Sequence, residues 1–327
     1  MKRRSAAELL EKGWDRGYPT DYLLSRIKGK KARFVPDWKS LVASPSPLDH
    51  LPEGHYQRIV SDRTPEGIWR ALLIEYRWLY HQMNGRLQEV FAPYFVYAEL
   101  RTVFICLRNL KEMKRAAVKE MLSVSLLSDQ IRRILVGSTD ELAAARAMEE
   151  KFLDFSGQFS GIAETLHQRG LAGFEHELTE RYLAVIVRSK INPVLQTFFT
   201  RLIDARNILS LAKLVKMSAS AEHPFISGGS IDIGQLQGIL ATKNRQGTEK
   251  ILKDFSGENI ASFDLVRMEA SLYRGISRSL KKKGKDPLGV GPILGYLWRC
   301  SIEAMNLSVL AYSHELERDI VAAELVR

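Results

Sequence analysis

The stretch that decides the fold occurs twice. Residues 193–212 read PVLQTFFTRLIDARNILSLA, and residues 292–311 read PILGYLWRCSIEAMNLSVLA. The two align without a gap at an offset of 99. Pro193, Leu195, Ala205, Asn207, Leu211 and Ala212 recur as Pro292, Leu294, Ala304, Asn306, Leu310 and Ala311. Asp204 becomes Glu303, and Ile208 becomes Leu307. Proline is tolerated at a helix start, where its missing N–H has no intrahelical acceptor, so both copies read as the opening of a helix. In both, an acid stands three residues before an asparagine. That spacing puts acid and amide on one helical face, in a stripe that continues into Leu211 or Leu310. A polar pair entering an apolar stripe needs hydrogen-bond partners if it is buried.

A fainter copy lies 105 residues upstream of the middle one. Glu99 stands for Asp204, Arg101 for Arg206, Thr102 for Asn207, Val103 for Ile208 and Cys106 for Leu211. Around it, Val96, Leu100, Val103, Leu107 and Leu110 follow the 4-3-4-3 spacing of a helix. Glu75 maps onto Glu180 at the same offset, with Glu269 the displaced equivalent in the last copy. The expectation is an all-α chain of three similar helical units, 1–113, 114–218 and 219–327, each ending in a long helix. Three such helices can meet around an approximate pseudo-threefold axis. The repeated polar pairs are Glu99 with Thr102, Asp204 with Asn207, and Glu303 with Asn306.

The punctuation agrees with helices. No proline occurs from 94 to 192, a span rich in Leu, Ala, Glu, Lys and Arg. Gly137 reads as a helix stop, and Ser138 with Glu141 as a capping box that starts the next helix. The segment ASPSPLDHLPEGHYQRIVSDRTPEG (43–67) is a turn-rich connection, and SASAEHPFISGGS (218–230) is the clearest boundary. Strand-like alternation is scarce.

Composition is that of a folded chain: 327 residues, 45% apolar and 26% charged. This excludes a disordered tail, a collagen-like repeat and a coiled-coil rod. The formal net charge is +10, which favours anionic partners without choosing among them. Two cysteines, Cys106 and Cys300, exclude a disulfide framework and suit a reducing compartment. The opening Met-Lys-Arg-Arg is not followed by an apolar run, so no secretory signal is expected. The best membrane candidate, FAPYFVYAELRTVFICL (91–107), carries Glu99 and Arg101 at its centre. The chain is therefore read as soluble and not itself membrane-spanning.

Enzyme motifs are absent. GVGPILG (289–295) has the wrong spacing for a dinucleotide loop, holds a proline and follows no strand. Gly29-Lys30 lacks the remainder of a P-loop. His50 and His55 flank a kinked Leu-Pro-Glu-Gly and lack the helical face of a zinc pair. Cys106 falls in a helical stripe and reads as a small core residue, and Cys300 has no histidine nearby in sequence. No catalytic residue, cofactor or metal is expected.

Two basic clusters remain. Residues 267–285 hold Arg267, Arg274, Arg278, Lys281, Lys282, Lys283 and Lys285, while the first 33 residues hold ten Lys/Arg against four acids. A solvated face is the plain reading of each. The functional reading is electrostatic contact with an acidic partner, with Arg274, Arg278, Lys281, Lys282, Lys283 and Lys285 as the contact candidates. A basic helical nucleic-acid-binding protein is the rival, but neither run interleaves the aromatics that stack on bases. The aromatic-rich stretch 71–95 reads as core, with an exposed patch as the alternative.

These residues resemble a known family, the C subunit of archaeal and bacterial V/A-type ATPases, related to the d subunit of eukaryotic V-ATPases. The helix IDARNILSLAKLVK (203–216) is similar to that family's acid-x-x-Asn-aliphatic helix. AELRTVFICLRNLK (98–111) and IEAMNLSVLAYSHELE (302–317) fit more loosely, with Thr102, Met305 and Ser308 departing from the pattern. Tyr22-x-x-x-Arg26, the Gly228-Gly229 pair and the C-terminal ELVR also fit. The resemblance implies a funnel of three helical subdomains and a non-catalytic adaptor that turns with the rotor. It implies a seat on the cytoplasmic end of the proteolipid ring and contact with the central shaft (D- and F-type subunits). It implies no nucleic-acid partner.

Overall fold

A computed structural model describes residues 5–44, 48, 51, 64–219, 224–260, 263–283, 289–311 and 318–326. Every regular element among them is helical. The α-helices are α1 (Thr20–Lys31), α2 (Trp38–Ala43), α3 (Pro65–Gln82), α4 (Gly85–Lys111), α5 (Arg115–Val124), α6 (Asp129–Gly137) and α7 (Glu141–Phe155). They continue as α8 (Ile162–Arg188), α9 (Pro193–Met217), α10 (Ile233–Ala241), α11 (Arg245–Ser256), α12 (Leu265–Lys283), α13 (Val290–Ala311) and α14 (Arg318–Glu324). Short 3-10 turns occupy Ala6–Leu9 and Gly157–Phe159. The all-α expectation is thus met.

The chain divides into two compact units. One comprises residues 1–20 and 73–195, the other residues 21–72 and 196–327. The division passes through α3 near its middle and through α1 and α9 near their first residues.

In the first unit α4 is the core helix, packed against α5, α7 and α8. The stripe Val96, Leu100, Val103, Leu107 and Leu110 is buried along its length, none above 3% exposed. By length and composition alone α4 passes for a membrane span, but 83% of its most apolar window is buried inside the protein. It is a core helix, as its central Glu99 suggests. Pro93 lies inside α4, and the Tyr182 hydroxyl of α8 donates to its carbonyl at 2.8 Å. The aromatic stretch is core: Tyr76 meets Tyr94 and Phe95 edge-on, and Tyr80 meets Phe95. The N-terminal segment is tied down by Glu11, which takes Arg77, His81 and Arg132. Beside it Glu11 donates its N–H to Leu126 at 2.7 Å, in an isolated antiparallel bridge centred on Leu10 and Leu127.

In the second unit α12 buries Met268, Leu272, Ile276 and Leu280, spaced every fourth residue. Gly275 lets it approach α11 closely: a Cβ there would stand 3.0 Å from the Phe255 ring. On α12's other side the Trp298 indole of α13 donates to Ser277 at 2.9 Å and meets Phe198 of α9 edge-on. A separate apolar cluster joins Val35, Leu41 and Val42 to Leu310 of α13 and to Val321 and Leu325 beside the C-terminus.

Helix ends refine the sequence reading. α6 stops at Gly137 as expected, but the cap of α7 is Asp140, which accepts the Ala143 N–H at 2.8 Å. Ser138 turns back instead, donating to Ile134, because Asp140 sits directly before the first turn and wins the capping position. α13 begins at Val290, so Pro292 is its third residue. α4 and α9 end alike. Met113 (φ 57) and Ser218 (φ 51) take the left-handed conformation. The next N–H reaches back in each, Lys114 to Asn109 at 2.7 Å and Ala219 to Leu214 at 3.0 Å. Each of these pairs is a step of 105 along the chain.

Candidate functional site

All six repeat positions are buried, none more than 4% exposed. Each needs partners, and the structure supplies them from backbone that follows or precedes the repeat helix at a distance.

The middle copy is the most complete. Asp204 Oδ1 accepts the backbone N–H groups of Ser230 (2.8 Å) and Ile231 (3.1 Å), while Oδ2 takes the Ser230 hydroxyl at 2.5 Å. One turn on, Asn207 pairs with a single residue both ways. Its amide donates to the Ile226 carbonyl at 2.9 Å and accepts the Ile226 N–H at 2.8 Å. The expected glycine pair has a purpose here: a Cβ on Gly229 would overlap Asp204 Oδ1, so the loop closes onto the carboxylate only without one.

The first copy repeats the acid's half. Glu99 Oε1 accepts the Leu126 N–H at 2.5 Å and Oε2 the Ser125 hydroxyl at 2.8 Å. Thr102 also hydrogen-bonds the carboxyl. Burial pushes the Glu99 carboxyl up, opposed by hydrogen bonds from Leu126, Thr102 and Ser125 and by the Arg132 charge. Ser125 to Ser230 and Leu126 to Ile231 are again steps of 105. The repeat therefore includes the segment that receives the acid, not only the helix that carries it.

The last copy repeats the amide's half. Asn306 and Val326 exchange both bonds at 2.9 Å, which places the aliphatic C-terminal run in the core. Glu303 finds its partner far back in sequence: Oε1 accepts the Val35 N–H at 2.7 Å. In all three copies the receiving segment stands just ahead of a short helix. Val35 precedes α2, Leu126 precedes α6 and Ile231 precedes α10.

Three acids are thus each spent on backbone N–H groups. Glu99 and Asp204 have both oxygens occupied and so hold their loops in a dry interior, while Glu303 holds the Val35 N–H with one oxygen. Among the described residues no cluster of three His, Cys, Asp or Glu side chains could hold a metal. Cys106 and Cys300 are buried and form no disulfide. Burial pushes the Cys106 thiol well up, helped by the nearby Glu99 charge, which keeps it inert.

The basic candidates separate. Arg274 forks onto Glu258 (2.7–3.1 Å) and Arg278 reaches the same carboxylate at 2.8 Å and the Ser256 carbonyl. Burial would raise Glu258, but hydrogen bonds from Arg274 and Arg278 and the Arg274 charge outweigh it and hold the carboxyl at about 2. Both arginines therefore staple the end of α11 to α12. Lys281 and Lys282 are exposed on the last turn of α12, and Lys283 closes the helix. Lys285, His50 and His55 lie outside the described residues. In the other basic cluster Arg26 donates to the Tyr22 hydroxyl at 2.9 Å.

The receiving residues Ser125, Ser230, Val35, Ile226 and Val326 were not legible as partners. A backbone N–H is offered by nearly every residue, so the sequence marks none. The one available signal was the offset of 105 carried past the helix, where Ser-Leu at 125–126 faces Ser-Ile at 230–231.

The fold and its buried locks define an all-helical, internally repeated protein whose charged interior is structural. A sequence model of the ATP synthase (C/AC39) subunit matches residues 26–319, and the chain belongs to that family. It is similar to the V-type ATP synthase C subunit of Thermus thermophilus, 28% identical over 148 residues, 43% of this chain and 45% of the relative. It is similar also to the A-type ATP synthase C subunits of Methanothermobacter thermautotrophicus (25%, 63% and 60%) and Methanocaldococcus jannaschii (23%, 89% and 82%). The chain thus spans under half of the Thermus relative and most of the Methanocaldococcus one.

Proposed function

We propose that this chain is the non-catalytic central-stalk adaptor of a V/A-type rotary ATPase. It sits on the cytoplasmic face of the proteolipid ring and holds the foot of the rotating shaft, formed by D- and F-type subunits. It thereby couples ATP synthesis or hydrolysis to proton or sodium-ion movement. Its three units, 1–113, 114–218 and 219–327, form a funnel about an approximate threefold axis. The observation that carries this reading is the family match across residues 26–319. The repeated acid locks support it physically.

An adaptor between two turning parts must deform little, or torque is lost as strain. Close-packed helices have low compressibility, and buried carboxylates that hold loops by several hydrogen bonds remove the softest degrees of freedom. The seat on the ring is partly electrostatic. With Arg274 and Arg278 tied to Glu258, the exposed lysines at the end of α12 are Lys281 and Lys282, and Lys283 and Lys285 continue the basic run in sequence. Attachment should weaken with salt, as contacts between exposed charges do.

The test replaces Lys281, Lys282 and Lys283 with Glu in the assembled complex. Loss of the soluble sector from membranes at moderate ionic strength, with the variant chain still folded, is the expected result. Unchanged retention and coupling would remove this end of α12 from the interface.

A further inference from the structure

Phe34 stands where the other two receiving segments carry serine. Ser125 and Ser230 each give a hydroxyl to the second oxygen of their acid. At the third lock the residue before Val35 is Phe34, which has none to give. Its ring lies 5.5 Å from Tyr296 and beneath the Arg299 guanidinium at 4.2 Å. Glu303 Oε2 is left buried with no hydrogen-bond partner among the described residues. The first oxygen holds the Val35 N–H alone.

From this geometry we infer that the Glu303–Val35 contact is a pH-sensitive joint, at which the segment leading into α2 unseats from α13 as Glu303 ionises. An ionised carboxylate in a dry site needs donors on both oxygens, and one that lacks them is better accommodated by moving into water. The groups about it do not supply the missing donor. Arg299, one turn earlier on α13, acts on Glu303 by charge and is stacked over Phe34. Lys31, at the end of α1, has its own ammonium pushed down by burial and by Arg299. Asp37, beyond Val35, spends its carboxylate capping α2 on Lys39 and Ser40.

Burial accordingly raises the Glu303 carboxyl to about 7, from an ordinary 4.5, against the opposing Val35 hydrogen bond and Arg299 charge. The seated state therefore binds the proton more tightly than the unseated one. Seating is favoured fully below about 4.5, weakens as pH climbs, and reaches its floor once pH passes about 7.

The experiment is hydrogen exchange on the full chain, corrected for intrinsic rates at each pH, following the amide of Val35. Ile231, received by an acid with both oxygens served, is the internal reference. Between pH 5 and pH 8 the protection of Val35 relative to Ile231 should fall on the order of tenfold or more, the span a displacement of this size allows. Glu303→Gln should abolish that fall. Equal behaviour of the two amides in the wild-type chain would overturn the inference, and so would an undiminished fall in Glu303→Gln. The wild-type comparison alone decides if the variant does not fold.

Discussion

Asn306 and Asn207 show how much one side chain can carry. Each amide satisfies both polar groups of one buried residue, Val326 or Ile226. Replacing either by alanine orphans an N–H and a C=O together, and each buried orphan costs about 1–3 kcal/mol. Asn306→Ala and Asn207→Ala should each lower stability by roughly 2–4 kcal/mol in denaturant unfolding; a loss near zero would mean that water reaches the site. At Gly229 the argument is steric. Gly229→Ala puts a methyl onto Asp204, and the loop must retreat from the carboxylate. A loss of about 1–3 kcal/mol is expected, with faster exchange at the Ser230 and Ile231 amides. The six positions themselves were legible as repeated polar pairs entering an apolar stripe, and their burial was the condition under which they would need partners. Their partners were not. Val35 lies 268 residues from Glu303, and a main-chain donor leaves no trace in the sequence.

At the scale of elements, helix α12 illustrates the same division. Its apolar face is formed by Met268, Leu272, Ile276 and Leu280, which the structure buries. Its basic residues were read as one cluster, whereas Arg274 and Arg278 are tied to Glu258 across the α11–α12 hairpin. That ion pair could not be read because Glu258 follows the end of α11, at a loop position with no periodic relation to α12. The depressed Glu258 carboxyl fixes a sign. A group held below its ordinary value contributes stability above that value and loses it as pH falls, so the hairpin should loosen between about pH 4.5 and 2. Exchange or proteolysis across 245–283 over that range checks it, and Glu258→Gln should bring the loosened behaviour to neutral pH. The start of α7 was less legible for a related reason. Asp140 and Ser138 both suit a cap, and only the register of the first turn of α7 decides between them.

At the scale of the whole molecule, the matching steps of 105 link the end of α4 to the end of α9, and Ser125-Leu126 to Ser230-Ile231. The last acid turns back to the segment before α2. These recurring contacts are consistent with the proposed three-unit adaptor, for which stiffness is the property required. Its function is therefore tested by mechanics rather than by turnover of a substrate. The direct measurement is reconstitution of proteolipid-ring membranes with the soluble ATPase sector and its shaft, with and without this chain, reading retention of the sector and ATP-driven ion uptake together. Both should be restored only when the chain is present, with ATP hydrolysis in the free sector unaffected. Coupled ion uptake of equal size in its absence would contradict the account.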